Sequence, residues 1–335
     1  MSNVQLTHSK HIFPFAAFLS QNGEPVGRLL HQAGLPSTSL DDLKVPVPTS
    51  AIWRFRELAA RCTGLPNITL SVMASYEIAD LGAVGQSVVR QPTLIRMIEE
   101  FQRLVATESS TAAVSIRPRE GGVLFSVHFA LRHQQGEWHA ELYLLTWMLK
   151  IVRLVNRTWC PMEICCVSKS DPDRVDAIAA LTPRPRFDQC YTGFSIPASM
   201  LALPYTLSEP EDEVNIDERS LWSTAPSNSF AGATKQLVKA YAADGWLTVN
   251  QASEASGVTL RTLQRRLSAE GTTYLEVLEE ARSEMARSLL ENTDAPLCEI
   301  ATKLGYSNQS NFTRAFLRWA SVLPSEFRAQ RRGAR

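Results

Sequence analysis

LTVNQASEASGVTLRTLQRRL (residues 247–267) and PLCEIATKLGYSNQSNFTRAFLRW (residues 296–319) decide how this chain is read. Each opens with a short helical segment of small residues, breaks at a glycine (Gly257, Gly305) and resumes as a polar-faced helix bearing arginine. That is the helix-turn-helix pattern, whose second helix enters a major groove of DNA. One such stretch is weak evidence, because amphipathic helices joined by glycine are common. Two in tandem make DNA binding the leading expectation.

In the first unit Thr248 caps a helix, and Gln251 three residues later completes a capping box. Ala252 and Ala255 allow close approach, Gly257 makes the turn, and Thr259 caps the second helix. Leu260, Leu263 and Leu267 share one face and must pack inward. The opposite face presents Arg261, Thr262 and Arg265, flanked by Gln264 and Arg266. Arginine can read guanine, and glutamine adenine, through paired hydrogen bonds.

The second unit repeats the plan. Pro296 suits a first helical turn, Ile300, Ala301 and Leu304 form the apolar face, and Ser307 or Asn308 caps the second helix. Phe312, Phe316 and Trp319 then face the core. Ser310, Thr313 and Arg314 point outward, with Gln309 and Asn311 beside them. Residues 274–291 are expected as a connecting helix with Leu275, Leu278, Ala281, Met285 and Leu289 in one stripe. A rigid connector would fix the separation of the two recognition helices, and successive major grooves on one face of B-DNA lie about 34 Å apart.

At these residues the chain resembles the AraC/XylS family of transcription regulators, over roughly residues 230–332. Arg282, Ala286 and Leu289 match the family's connector helix. Ile300-Ala301, Gly305-Tyr306, Phe312, Arg314, Phe316, Trp319, Pro324 and Phe327-Arg328 match its second half. The resemblance implies that residues 259–267 and 308–317 are recognition helices. Arg261, Gln264, Arg265, Gln309, Asn311, Thr313 and Arg314 are then base readers, and Ser310 touches phosphate. Two departures stand out: Leu317 occupies an outward position that commonly holds Lys or Arg, and Ser321 replaces a frequent glycine. The first domain more weakly resembles the family's "arabinose-binding type" effector domain, at LGAVGQSVVRQPTLIRMIEEF (81–101) and the segment 187–205 ending SMLALPY. Too few strands precede Pro92 for a sugar-binding jelly roll.

The bulk numbers agree with a two-domain globular protein. The chain has 335 residues, 44% hydrophobic and 20% charged, with 34 Lys and Arg against 34 Asp and Glu. From Pro226 onward 14 Lys and Arg face 11 Asp and Glu, so the basic residues are biased toward the C-terminal part. No apolar run reaches the ~18 residues of a membrane span, and no signal peptide is legible. A cytoplasmic protein is therefore expected. The six cysteines read as reduced thiols. Cys160, Cys165, Cys166 and Cys190 lack CxxC spacing and read as core packing, so neither metal nor cofactor is expected. GxSxG, P-loop, GxGxxG and HExxH motifs are absent, which argues against an enzyme.

Helical spacing marks residues 49–60 and 92–107, and the first ~110 residues read as mainly helical. Alternation then marks a hairpin: Val114 and Ile116, a turn at Glu120-Gly121-Gly122, then Val123, Phe125, Val127 and Phe129. A helix over 137–157, a strand over 162–167, a helix over 171–181 and strands near 187–190 and 193–196 complete the pattern. The expected architecture is an α+β effector-binding and dimerisation domain (1–207) and an acidic linker (208–226, with Glu209, Glu211, Asp212, Glu213, Asp217 and Glu218). An all-α domain with two helix-turn-helix motifs (227–335) follows. Candidate effector contacts are Phe125, His128, Trp138, Tyr143, Trp147 and Arg153, the last as a partner for an anion. His133 and His139 are expected at the surface. The reading is an effector-responsive, sequence-specific transcription regulator, an activator by resemblance. Its expected partners are double-stranded DNA, a small-molecule effector, RNA polymerase and a second copy in a homodimer, without a membrane. The alternative is an architectural DNA-binding protein with little sequence preference and no effector; substitution of Arg265 and Arg314 separates the two.

Overall fold

The computed structural model describes residues 3–132, 134–206 and 218–333. It has a sheet-containing first domain and a helical second one, as the pattern of periods requires. Two three-residue strands that no alternation could reveal, β1 (Leu6–His8) and β2 (Pro46–Pro48), pair antiparallel among the early helices.

The expected hairpin forms from β3 (Ala112–Arg119) and β4 (Gly122–Phe129), with Gly121 in the left-handed region at φ 76°. With β5 (Ile164–Cys165), β6 (Pro185–Arg186) and β7 (Thr192–Pro197) it makes a five-stranded sheet ordered β3-β4-β7-β5-β6. All neighbours are antiparallel except β5 and β6. The strand expected near 187–190 is instead β6, shifted toward the N-terminus. Ile164 pairs with Pro185 and Cys165 with Arg186, and Asp188 at φ 58° turns the chain out of strand geometry. Pro185 is tolerated because β6 is an edge strand.

Phe125, Val127 and Phe129 alternate onto the covered face of the sheet, where Phe125 meets Phe101 and Phe194 edge-on. Phe101 comes from the Leu94–Glu108 helix, which packs across the sheet with the Glu137–Val155 helix. The latter is buried on nearly every side, as a helix inside a core must be. Its Glu141 is buried too. The carboxylate accepts hydrogen bonds from the amides of Val167 (2.5 Å) and Ser168 (3.1 Å) and from the Thr192 hydroxyl, which ties the helix to the sheet. Burial pushes this carboxyl up against those bonds. His139, expected at the surface, is only 2% exposed. The packing of the Thr49–Thr63 helix encloses it, and its ring faces Thr69 at 3.2 Å and Glu57 at 3.6 Å. His133 lies outside the described residues.

Within 208–226 the acidic residues from Glu209 to Asp217 also lie outside the described residues, and Glu218–Thr224 is a helix. Beyond it the chain builds two small cores. Phe230, Leu237, Leu247, Leu263, Leu267 and Ala281 belong to the first. Ala286, Leu290, Ile300, Leu304, Phe312 and Phe316 belong to the second. One helix, Tyr274–Asn292, gives its first half to one core and its second half to the other. Its buried face is Val277, Ala281, Ala286 and Leu290, rotated from the expected stripe, and Leu275 is 63% exposed. The change of partner along the helix, which periodicity alone does not encode, causes that rotation.

The two domains share apolar surface. Val4, just before β1, and Leu6, its first residue, are buried in the first of the C-terminal cores. Asn3 Nδ2 donates to the Ser227 carbonyl (2.8 Å), and His8 Nε2 lies 2.8 Å from the Thr224 carbonyl. The Ser37 amide donates to Asp244 (2.9 Å), and the Tyr241 hydroxyl donates to the Gly34 carbonyl (2.6 Å).

Candidate nucleic-acid interface and effector cavity

Each recognition helix is held by caps and leucines or aromatics, and its outer face is left to solvent. In the first unit Thr248 and Gln251 form the capping box over Val249–Ala255. Gly257 turns the chain at φ 69°, and the Thr259 hydroxyl accepts from the Thr262 amide to start Leu260–Ala269. Leu263 and Leu267 are fully buried, which fixes the roll of the helix. Arg261, Gln264 and Arg265 are exposed and Thr262 half-buried. Arg266 turns the other way: its guanidinium lies 5.2 Å over the Phe230 ring, so it belongs to the support.

In the second unit Asn308, rather than Ser307, is the cap, accepting from the Asn311 amide at 2.9 Å. Phe312 and Phe316 are buried under Gln309–Ala320. Gln309, Ser310 and Arg314 are exposed, with Asn311 and Thr313 half-buried. Asn311 donates to Ser307 (2.9 Å) and accepts from Arg314 (2.5 Å), so a polar chain links the cap to the outward arginine. Leu317 is exposed, as its position required, and Ser321 adopts a left-handed φ of 59°.

The spacing between the units is set by side chains. Trp246 packs against both cores. The Arg282 guanidinium lies between its ring (5.2 Å) and that of Tyr306 (5.4 Å). Arg318 pairs with Glu279 (2.7 Å), while Lys235 and Lys239 bracket Glu284. Nine candidate DNA-contacting residues thus sit on the outer sides of two helices joined by a braced connector. Among them only Arg261, Arg265 and Arg314 are charged, and all three are cations.

The first domain holds a cavity of about 60 Å³ between its early helices, the Leu94–Glu108 helix and the Glu137–Val155 helix. It adjoins a cleft of about 460 Å³ that reaches Leu221 and Thr224. Of the six effector candidates, Tyr143 and Trp147 line both spaces. Phe125 is in the core beneath. His128 is half-buried beside Tyr191 on the sheet. Trp138 lies by His139 and Arg174, in another cleft. Arg153 bonds the Trp159 carbonyl (3.2 Å) in a third cleft.

Sequence reasoning missed His11, Arg56 and Glu108 in this cavity, along with the hydroxyls of Thr7, Thr49, Ser109 and Thr111. Glu108 is met by Lys10 (2.9 Å), His11 (3.1 Å) and His8 (3.4 Å). Burial alone would raise its carboxyl; the bonds from His11 and His8 and the charge of Lys10 outweigh that and hold it well below the usual range. Burial drives His11 down to about 4, so the ring is neutral at pH 7. A carboxylate only accepts, so Nε2 carries the proton toward Glu108 and Nδ1 accepts from the Tyr143 hydroxyl at 3.0 Å. Arg56 had a legible signal: it stands one turn after Ile52 and beside Phe55, a cation on an apolar stripe. The residues around Glu108 are distant in sequence and gave none.

Two family models match this chain. Residues 252–330 match a helix-turn-helix domain model. Residues 23–205 match the N-terminal arabinose-binding domain of the AraC transcription regulator. The ornithine utilization regulator of Pseudomonas aeruginosa is 33% identical over 145 residues, 42% of each chain. The match therefore spans less than half the length of that relative. The transcriptional activator RhrA of Rhizobium meliloti is 24% identical over 306 residues, 90% of each chain. Among solved structures, the regulator CdpR from P. aeruginosa is similar with a TM-score of 0.38 at 19% identity, covering 94% of this chain and 96% of its own. No described helix is long and apolar enough to cross a membrane.

Proposed function

The chain belongs to the AraC family of transcription regulators, and from that premise we propose that it reads two adjacent major grooves and switches transcription in response to a small molecule. The observation that carries this reading is the pair of capped, outward-facing recognition helices braced on one connector. Arg261, Thr262, Gln264 and Arg265 read the first groove. Gln309, Asn311, Thr313 and Arg314 read the second, and Ser310 holds phosphate. Gln264 on the first face, with Gln309 and Asn311 on the second, favours sequence readout over an architectural role, since nonspecific binding rests on cations and phosphate.

The effector occupies the cavity lined by Tyr143 and Trp147. Its presence reaches the DNA-binding domain through residues 3–12, which contribute Thr7 and His11 to the cavity and Val4 and Leu6 to the first C-terminal core. The protein acts in the cytoplasm, as an activator that engages RNA polymerase, and as a homodimer when bound to DNA. Domain limits of 1–207 and 227–335, with a linker between, are part of the same proposal.

The test is selection of binding sites by the full chain from random DNA, at two salt concentrations. The full chain is used because Val4 and Leu6 complete a core of the DNA-binding domain. Two conserved boxes about one helical turn apart are expected. Binding that enriches no motif and simply fades with salt would overturn the reading in favour of an architectural protein.

A further inference from the structure

Among the described residues, Arg56 is a buried cation without an anion. It is 3% exposed, and among the described residues its one hydrogen bond runs from Nη2 to the His11 carbonyl at 3.1 Å. Nε has no partner. The Tyr143 and Phe15 rings lie 4.1 and 4.9 Å from the guanidinium and hold its plane, but their faces leave its edge donors unused. Among the described residues, the carboxylate lining the same cavity, Glu108, is already engaged by Lys10, His11 and His8. A second buried donor stands nearby: the indole N–H of Trp147, 1% exposed, has no well-formed hydrogen bond, its polar neighbour being the Tyr143 hydroxyl.

A buried guanidinium left unpaired is costly, and a carboxylate is the group whose two oxygens fit its fork. Much of the remaining wall, including Ile52, Trp53, Val84, Phe101 and Phe129, is apolar, and the hydroxyls of Thr7, Thr49, Ser109 and Thr111 that complete it bond one another. We propose that this cavity binds the carboxylate of a small monoanionic organic acid at Arg56, with Trp147 as a second donor, and that this acid is the effector. The identification as effector rests on the regulator reading above; the binding site does not.

Size and charge narrow the class. One uncompensated positive charge selects a monoanion over a phosphate dianion. About 60 Å³ holds little more than the carboxylate itself. The rest of an apolar body extends past Tyr143 and Trp147 into the adjoining cleft, which shares His11, Leu81 and Glu108 with the cavity. Sugars fit poorly, because the wall hydroxyls of Thr7, Thr49, Ser109 and Thr111 are already paired with one another and the space is small.

The test uses the full chain with butyrate, hexanoate and benzoate, each beside its neutral amide, read by thermal unfolding and tryptophan fluorescence. At least one acid is expected to raise Tm saturably while its amide does not. Arg56→Gln should weaken that acid by on the order of tenfold or more, as loss of a charge-assisted pair requires. Arg56→Lys should recover part of the binding, and Arg153→Gln should leave it unchanged. The proposal is overturned if no acid acts up to about 10 mM, if acid and amide act alike, or if Arg153→Gln abolishes the effect. The acid-against-amide comparison on the unsubstituted protein needs no variant to fold. Site selection on the same preparation separates the two readings: a DNA motif without acid binding sinks only this site, and acid binding without a motif sinks only the regulator.

Discussion

The hydroxyl of Tyr241, at the end of the first helix of the DNA-binding domain, donates to the carbonyl of Gly34 in the first domain at 2.6 Å. Burial raises the Tyr241 phenol, so it stays a donor throughout the working pH range. With Asp244 accepting from the Ser37 amide three residues on, it pins the second domain to the first at a point away from the β1 segment.

Removing that pin tests how firmly the domains are docked. Tyr241→Phe should cost about 1 kcal/mol of stability, the net worth of a hydrogen bond plus the stranded carbonyl. Combined with Asp244→Ala it should speed proteolysis within 207–226. Unchanged cleavage rates would mean that Val4 and Leu6 hold the domains without help.

Base readers and phosphate contacts should fail differently. Arg265→Ala and Arg314→Ala should each lose about 1–3 kcal/mol on the preferred site and relax its sequence at one position. Ser310→Ala should weaken all sequences alike. Leu317→Arg, supplying a cation on an exposed position, should tighten binding and steepen the salt slope by about 0.9. Titration of labelled duplexes across salt concentrations measures all four, and an unaltered motif for Arg265→Ala would remove it from the readers.

Backbone conformation predicts opposite signs at three positions. Ser321 sits at φ 59°, where a side chain is strained, so Ser321→Gly should stabilise by roughly 1 kcal/mol. Gly257→Ala should cost about 1 kcal/mol, because φ is positive but nothing lies within 4 Å of an added Cβ. Gly305→Ala should cost more, since its Cβ would stand 2.8 Å from the Trp246 ring and 3.2 Å from Arg282. Thermal denaturation of the three variants gives the order; equal losses at the two glycines would show that Trp246 moves freely.

Acid should unfold the first domain early. Burial lowers both His11 and His139 from 6.5 to about 4. The unfolded chain therefore takes up these protons first. Stability present above pH 6.5 is lost as pH falls toward 4, by up to about 1.4 kcal/mol per pH unit for each ring. Glu108, held low, adds a loss below the ordinary carboxylate range. Urea midpoints between pH 7.5 and 4.5 would show the decline, and His139→Gln should flatten it. A level profile to pH 5 would contradict the buried neutral state of both rings.

The second domain was largely legible because its signals are local. Caps such as Thr248 with Gln251, turn glycines and the buried faces around Leu263 and Phe312 all act within a few residues, and they place the outward side chains without reference to the rest of the chain. The rotation of the Tyr274–Asn292 helix escaped because its partners change from one core to the other, a fact held in no local period.

The first domain divides the same way. Sequence alone determined its α+β class, the β3–β4 hairpin and the buried helix after it, since alternation and helical spacing are written in order along the chain. Tertiary structure alone decided that Arg56, His11, Glu108, Tyr143 and Trp147 meet, and that Val4 and Leu6 cross to the other domain. Such meetings depend on how helices far apart in sequence pack. A buried charge reveals itself only when the groups that do, or do not, surround it are seen together.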